Sequence, residues 1–334
     1  MTDGDRPDAP PPPSVPPSPR PGASIFTIEG RAAPGLFVVG WLASLLGLGV
    51  VLIGALAPSG LFLYFLGPTL LTIGLVAGAG SQTIERRVRG EAYAGPSPYL
   101  VFAATIAAVY VVGSVFGLGL HLLLGSSTPP DYVVRLIGVA LQAAVFIGIL
   151  RLTVVDGHAL SWREMGWRRP DATAIRDLGF GALLAVPVIG VTSIVAAVVV
   201  QLFEVVPEAP LPATGVAVGL VVQLLAGAII APVAEEAVFR GFAITAWERT
   251  VGTRGAIVRA SLLFALAHVL NVSADTSGQA IGLIVVGVAT RLPVAFTLGW
   301  LFVARRSIWA PLGLHIAFNG ILLVLGELLV TTAG

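Results

Sequence analysis

Residues 98–124 read PYLVFAATIAAVYVVGSVFGLGLHLLL, a run with no Asp, Glu, Lys or Arg. A helix rises about 1.5 Å per residue, so this stretch is long enough to cross the roughly 30 Å hydrocarbon core of a bilayer. The strict alternation that marks a membrane β-barrel strand is missing from it. Eight further apolar stretches flank it: Pro34–Leu56, Leu61–Gly80, Tyr132–Leu150, Leu178–Phe203, Ala213–Ile244, Gly255–Leu270, Ala280–Val303 and Trp309–Val330. The expected fold is therefore all-α, a polytopic transmembrane helical bundle of about eight to nine spans.

Composition agrees. Hydrophobic residues make up 56% of the 334 positions and charged residues 11%, with a mean hydropathy of +0.93. Soluble domains carry roughly twice that charge. A net charge of +1 leaves no basic footprint, so no nucleic-acid partner is expected. With no Cys, disulfides, thiolate metal sites and thiol nucleophiles are excluded. Met1 to Ser24 is rich in Pro, including the run from Ala9 to Pro13. Such a segment buries no core and is expected to be a disordered tail of polyproline character. It lacks the basic, apolar and small-residue succession of a cleaved signal peptide. The chain divides into this cytoplasmic tail (1–30), a four-helix transmembrane region (31–155), an interfacial segment with one further helix (156–212), and a C-terminal transmembrane domain (213–330).

Arginines alternate between the connections. Arg86, Arg87 and Arg89 share one, Arg163, Arg168, Arg169 and Arg176 the next but one, then Arg249 with Arg254, and Arg305 with Arg306. The intervening loops carry Asp131, Glu204 with Glu208, or Asp275. The positive-inside rule places the tail and every Arg-rich connection in the cytoplasm, in a multi-pass protein of the cell membrane. Within the Asp156–Arg176 connection, Ser161 to Trp167 combines Trp and Arg in a way that suits a helix at the headgroup boundary. No internal repeat is evident, which disfavours a transporter of inverted halves.

Ionisable groups inside a bilayer cost roughly 2.5–3.5 kcal/mol each even on the lenient insertion scale, so their positions are informative. In the sixth stretch, Glu236 and Arg240 lie one turn apart and can neutralise each other. Glu235 points about 100° away, without a local partner, as a general base requires. Pro232 removes a backbone hydrogen bond just before the pair. In the seventh, Phe264 and His268 share a face, so the ring can orient the imidazole. In the ninth, His315 and Asn319 share a face and could hold an oxyanion, or His315 could ligate a metal. Each signal also has a plain structural explanation: an ion pair, a satisfied core histidine, an interhelical hydrogen bond. Counted inward from the Arg-rich ends, however, Glu235, His268 and His315 fall at a similar depth, where they could meet around shared water. His121 and His158 have no such partners, and Arg291, in mid-stretch, is read as structural, by pairing or snorkelling, with a place facing the shared chamber as the alternative.

The ordered trio Glu235-Glu236-x-x-x-Arg240, Phe264-x-x-x-His268 and His315-x-x-x-Asn319 resembles the signature of the CAAX-processing and bacteriocin-processing (CPBP) intramembrane endopeptidases. The likeness covers about Ala213 to Val330, supported by Phe239-Arg240-Gly241-Phe242 and Arg306 to Pro311. It implies a membrane-embedded protease acting on a peptide or protein substrate within the lipid bilayer. Glu235 and His268 would activate water, His315 and Asn319 would stabilise the oxyanion, and Glu236 with Arg240 would hold their helix in register, Phe264 supporting. The resemblance implies either a metal-free glutamate mechanism or a zinc one. With no His-Glu-x-x-His helix and few strong ligands, the sequence favours the first, with no cofactor, while the zinc alternative would use Glu235, His268 and His315 as ligands. Two rival classes are a non-catalytic scaffold, immunity or transport-related protein, and a zinc-dependent membrane hydrolase of another amide or ester.

Overall fold

A computed structural model describes residues 28–56, 61–125, 127, 129–206, 212–270, 274 and 276–333. The Pro-rich segment from 1 to 27 lies outside them. The described chain is all-helical: α1 Pro34–Leu56, α2 Leu61–Val88, α3 Pro98–Leu124, α4 Asp131–Leu150, α5 Ala172–Phe203, α6 Ala217–Gln223, α7 Ala231–Glu236, α8 Thr245–Ala267, α9 Ser277–Arg305 and α10 Trp309–Ala333. Among the described residues, seven helical runs are long and apolar enough to cross a membrane. The longest, Ala217–Ala267, contains non-helical backbone at Gly252 (φ 75°, ψ 168°), where two helices meet. Positive φ is open to glycine at little cost. Splitting this run at Gly252 and adding α2 recovers the nine apolar stretches read from the sequence.

Local signals set the boundaries. The Asp171 carboxylate caps α5 by accepting the Ala174 N–H at 2.8 Å, and Thr276 caps α9 by accepting that of Gln279 at 3.2 Å. Both are side chains that satisfy the free N–H groups of a first turn. Large apolar residues such as Leu122, Leu183 and Leu329 stay exposed on the outside of the bundle, as lipid contact demands.

The Arg-rich connections gather at one end. Arg87 donates to the Gly157 carbonyl, Arg249 pairs with Glu164 at 2.7 Å, Arg306 pairs with Glu248, and Trp309 donates to the Arg168 carbonyl at 3.2 Å. At the opposite end, Glu327 of α10 accepts the Thr214 N–H at 2.8 Å. The charge asymmetry of the sequence thus corresponds to two distinct faces of the molecule.

Residues 162–166 form successive turns rather than the expected headgroup helix. A reciprocal cap closes the element: Glu164 accepts from both the backbone N–H and the hydroxyl of Ser161, each at 2.7 Å. These bonds, backbone first, together with Arg249 hold the Glu164 carboxyl down at about 2. Met165 is then fully buried against Gly241, Gly166 takes a positive φ of 82°, and its carbonyl accepts the Ile308 N–H at 3.2 Å. The segment is a plug that joins the start of α10 to the helices holding the polar cluster.

Two apolar clusters surround that cluster. One centres on Phe239, Phe242, Trp247 and Phe264; the other, on Val294, Leu298 and Leu314, fills the space between α5, α9 and α10. Helices α5 and α10 touch backbone to backbone, because a Cβ on Gly181 would lie 1.9 Å from the Ala310 carbonyl oxygen, and one on Gly313 would lie 2.0 Å from that of Leu178. Gly181→Ala should therefore part the helices and destabilise the protein by about 1–3 kcal/mol. Gly179→Ala, where a Cβ would meet nothing within 4 Å, should leave thermal unfolding in detergent unchanged.

Candidate active site

The two glutamates sit on α7, a six-residue α-helical piece between two π-helical segments, Leu224–Ile230 and Ala237–Ile244. Pro232 has no N–H to donate to the preceding turn, and the wider turns absorb that interruption. π-turns of this kind are rare and recur where a helix presents functional groups.

Glu236 and Arg240 form a dry floor. Their side chains are 0% and 1% exposed, with Arg240 Nη1 3.1 Å from Glu236 Oε1. The angle is not that of a hydrogen bond, so the contact is an ion pair. The same oxygen accepts from His315 Nδ1 at 2.7 Å. Arg240 also donates to the Ala295 carbonyl of α9 at 3.4 Å, and its guanidinium lies 4.4 Å from the centre of the Phe264 ring. That ring is wedged between the two imidazoles, 4.5 Å from His268 and 5.8 Å from His315.

Glu235 faces the other way. Its Oε2 lies 3.9 Å from His268 Nε2 and 3.7 Å from His315 Nε2, beyond direct hydrogen-bond range. The tautomers follow from the other ring nitrogens. His268 Nδ1 is 2.8 Å from the Phe264 carbonyl, which can only accept, so Nδ1 carries the proton and Nε2 its lone pair. The Glu236 carboxylate likewise holds a proton on His315 Nδ1, leaving Nε2 to accept when the ring is neutral and to donate when it is protonated. Side-chain exposures of 14% for Glu235 and 26% for His268, against 5% for His315, put the first two at the accessible rim of the cluster.

The structure thus brings together Glu235, Glu236, Arg240, Phe264, His268 and His315. Asn319, one turn along α10, has another partner: its amide donates to the Gly227 carbonyl in the first π-helical segment at 2.8 Å. The bond from Glu236 to His315 is not apparent from the sequence, where Arg240 alone already satisfies that carboxylate. Depth along the helices was the available signal, since it places His315 level with both glutamates. Arg291 of α9 donates to the Gly287 carbonyl at 2.8 Å.

Two imidazoles and a carboxylate are donor types that suit zinc. Among the described residues, though, no three His, Asp or Glu side chains are arranged to hold a metal ion. The Glu235 carboxylate and the two Nε2 atoms do not form a metal centre as placed.

Residues 217–321 match the family model described as Rce1-like, type II CAAX prenyl endopeptidase Rce1-like. No curated protein and no solved structure matches the chain. The matched stretch contains Glu235, Glu236, Arg240, Phe264, His268, His315 and Asn319. This membrane protein therefore carries a domain of the Rce1-like CAAX endopeptidase family.

Proposed function

We propose that the chain is an intramembrane endopeptidase of the glutamate type, hydrolysing peptide bonds of membrane-associated or C-terminal peptide substrates. The observation that carries this reading is the placement of one rim carboxylate, Glu235, opposite the Nε2 atoms of two oriented imidazoles. A water about 2.8 Å from Glu235 Oε2 and from either Nε2 fits the apex above atoms spaced this far apart.

Glu235 takes a proton from that water while His268 Nε2 accepts the other O–H, aiming the oxygen at the substrate carbonyl. Addition gives a tetrahedral oxyanion. His315, carrying both protons with Glu236 as counter-charge, donates from Nε2 to it, and Asn319 offers an amide N–H. As the intermediate collapses, the C–N bond breaks and Glu235 returns its proton to the departing amine. Arg240 keeps Glu236 in place throughout. The Arg-rich end and the N-terminal tail are assigned to the cytoplasm of a cell membrane.

Purified full-length protein in lipid vesicles, given quenched fluorescent peptides, tests the mechanism. Cleavage should continue at an unchanged rate after chelation of divalent metals. A loss of activity restored only by zinc would replace the glutamate scheme with a metal one. A wild-type protein that cleaves nothing would favour a non-catalytic scaffold.

A further inference from the structure

Arg291 lies at the midpoint of the membrane-crossing run Ser277–Arg305. A guanidinium at that depth needs a compensating anion or a full set of acceptors. Arg240, the other arginine of the cluster, has Glu236. Among the described residues Arg291 is in no salt bridge; one N–H goes to the Gly287 carbonyl of its own helix. A guanidinium has five N–H donors in a planar fork. Folded back along α9, it reaches the neighbourhood of Val269: a Cβ built on Gly287 would lie 3.5 Å from Arg291 Nη1 and 2.6 Å from Val269 Cγ1. Val269 directly follows His268, whose Nε2 faces Glu235. An arginine half-buried beside the reacting groups, yet in salt-bridge contact with neither glutamate, is placed to meet an anion that enters with the substrate.

We infer that Arg291 is a specificity-determining residue that receives a carboxylate of the bound peptide. This rests on the peptidase reading above. A carboxylate is the anion that an unmodified peptide brings, from its free C-terminus or from an Asp or Glu side chain, and the guanidinium fork matches it with paired N–H donors. The contact supplies a counter-charge within direct reach of the guanidinium and fixes the chain relative to Glu235, so productive binding of such a peptide depends on it.

The test uses the full chain in vesicles with three peptides of one apolar sequence: a free C-terminal acid, the C-terminal amide, and the amide with one internal Glu. Wild-type protein should cleave the acid with kcat/KM roughly tenfold above the plain amide, the scale of one charge-assisted hydrogen bond. Recovery of that advantage by the Glu-containing amide would identify a side-chain carboxylate as sufficient; its failure to recover would assign the preference to the terminus. Arg291→Gln should erase the advantage, so that acid and amide are cleaved with equal kcat/KM, and its thermal unfolding in detergent shows that the variant is folded. Arg291→Lys, with charge but no fork, should fall between. Equal cleavage of acid and amide by wild type, or an equal loss for both in Arg291→Gln, overturns the inference and leaves the peptidase reading intact. Binding of the same peptides to Glu235→Gln protein separates the two. An acid preference in binding that vanishes in the Glu235→Gln/Arg291→Gln double variant, with no cleavage by wild type, would sink the peptidase reading but keep the role of Arg291.

Discussion

Glu235→Gln should lower kcat for peptide cleavage by roughly 10³-fold, the usual worth of a positioned general base, without changing the melting temperature. The two halves of that expectation come from separate features. Glutamine has the shape of glutamate but cannot take the proton from water. Stability is spared because Glu235 sits at the rim, partly exposed, with both imidazole contacts longer than a hydrogen bond. KM should change little, since the substitution removes proton transfer and not substrate contact. Undiminished cleavage would transfer the base to another group. A large fall in thermal stability would make Glu235 a structural residue.

Arg240→Ala should have the opposite profile, unfolding the domain before it reports on chemistry. Glu236 is fully buried and would keep a charge answered only by His315. Breaking one side of a buried ion pair costs about 3–5 kcal/mol. The loss extends to packing, because the guanidinium also covers the Phe264 ring and reaches the Ala295 carbonyl. Removing both charges as Glu236→Gln/Arg240→Met should restore much of the stability, as no ion is then left alone in the interior. Thermal unfolding of the three proteins in one detergent decides it. A single variant as stable as wild type would mean that Glu236 is neutral or solvated.

The helices were legible because lipid imposes one rule on every span. Pro34–Leu56 and Pro98–Leu124 have the same limits in the sequence as in the structure, since an uncharged run bounded by Pro or polar residues leaves little choice. The grouping of Glu235, His268 and His315 was legible for a related reason: few polar residues occur in the spans, and their depths agree. What the sequence hid was local geometry. A uniform 3.6-residue period ignores the π-turns on both sides of α7, which decide where each glutamate points. Asn319 was paired with His315 by helical spacing alone, yet its amide answers a carbonyl in a neighbouring segment. The Trp162–Trp167 element was read from its Trp and Arg content. Its outcome was set instead by the Ser161–Glu164 cap and the buried Met165.

Synthesis proceeds from the N-terminus, and the residues of the site do not emerge together. Both glutamates and Arg240 are made first, then His268 beyond the turn at Gly252, and His315 only with α10. Until that helix inserts, Glu236 has Arg240 as its one partner and Glu235 faces a single imidazole. A nascent chain thus holds its carboxylates in the bilayer in an unfinished setting. Insertion of the final described helix completes the polar network and brings both ring nitrogens of His315 into place, so maturation and assembly of the site are one event.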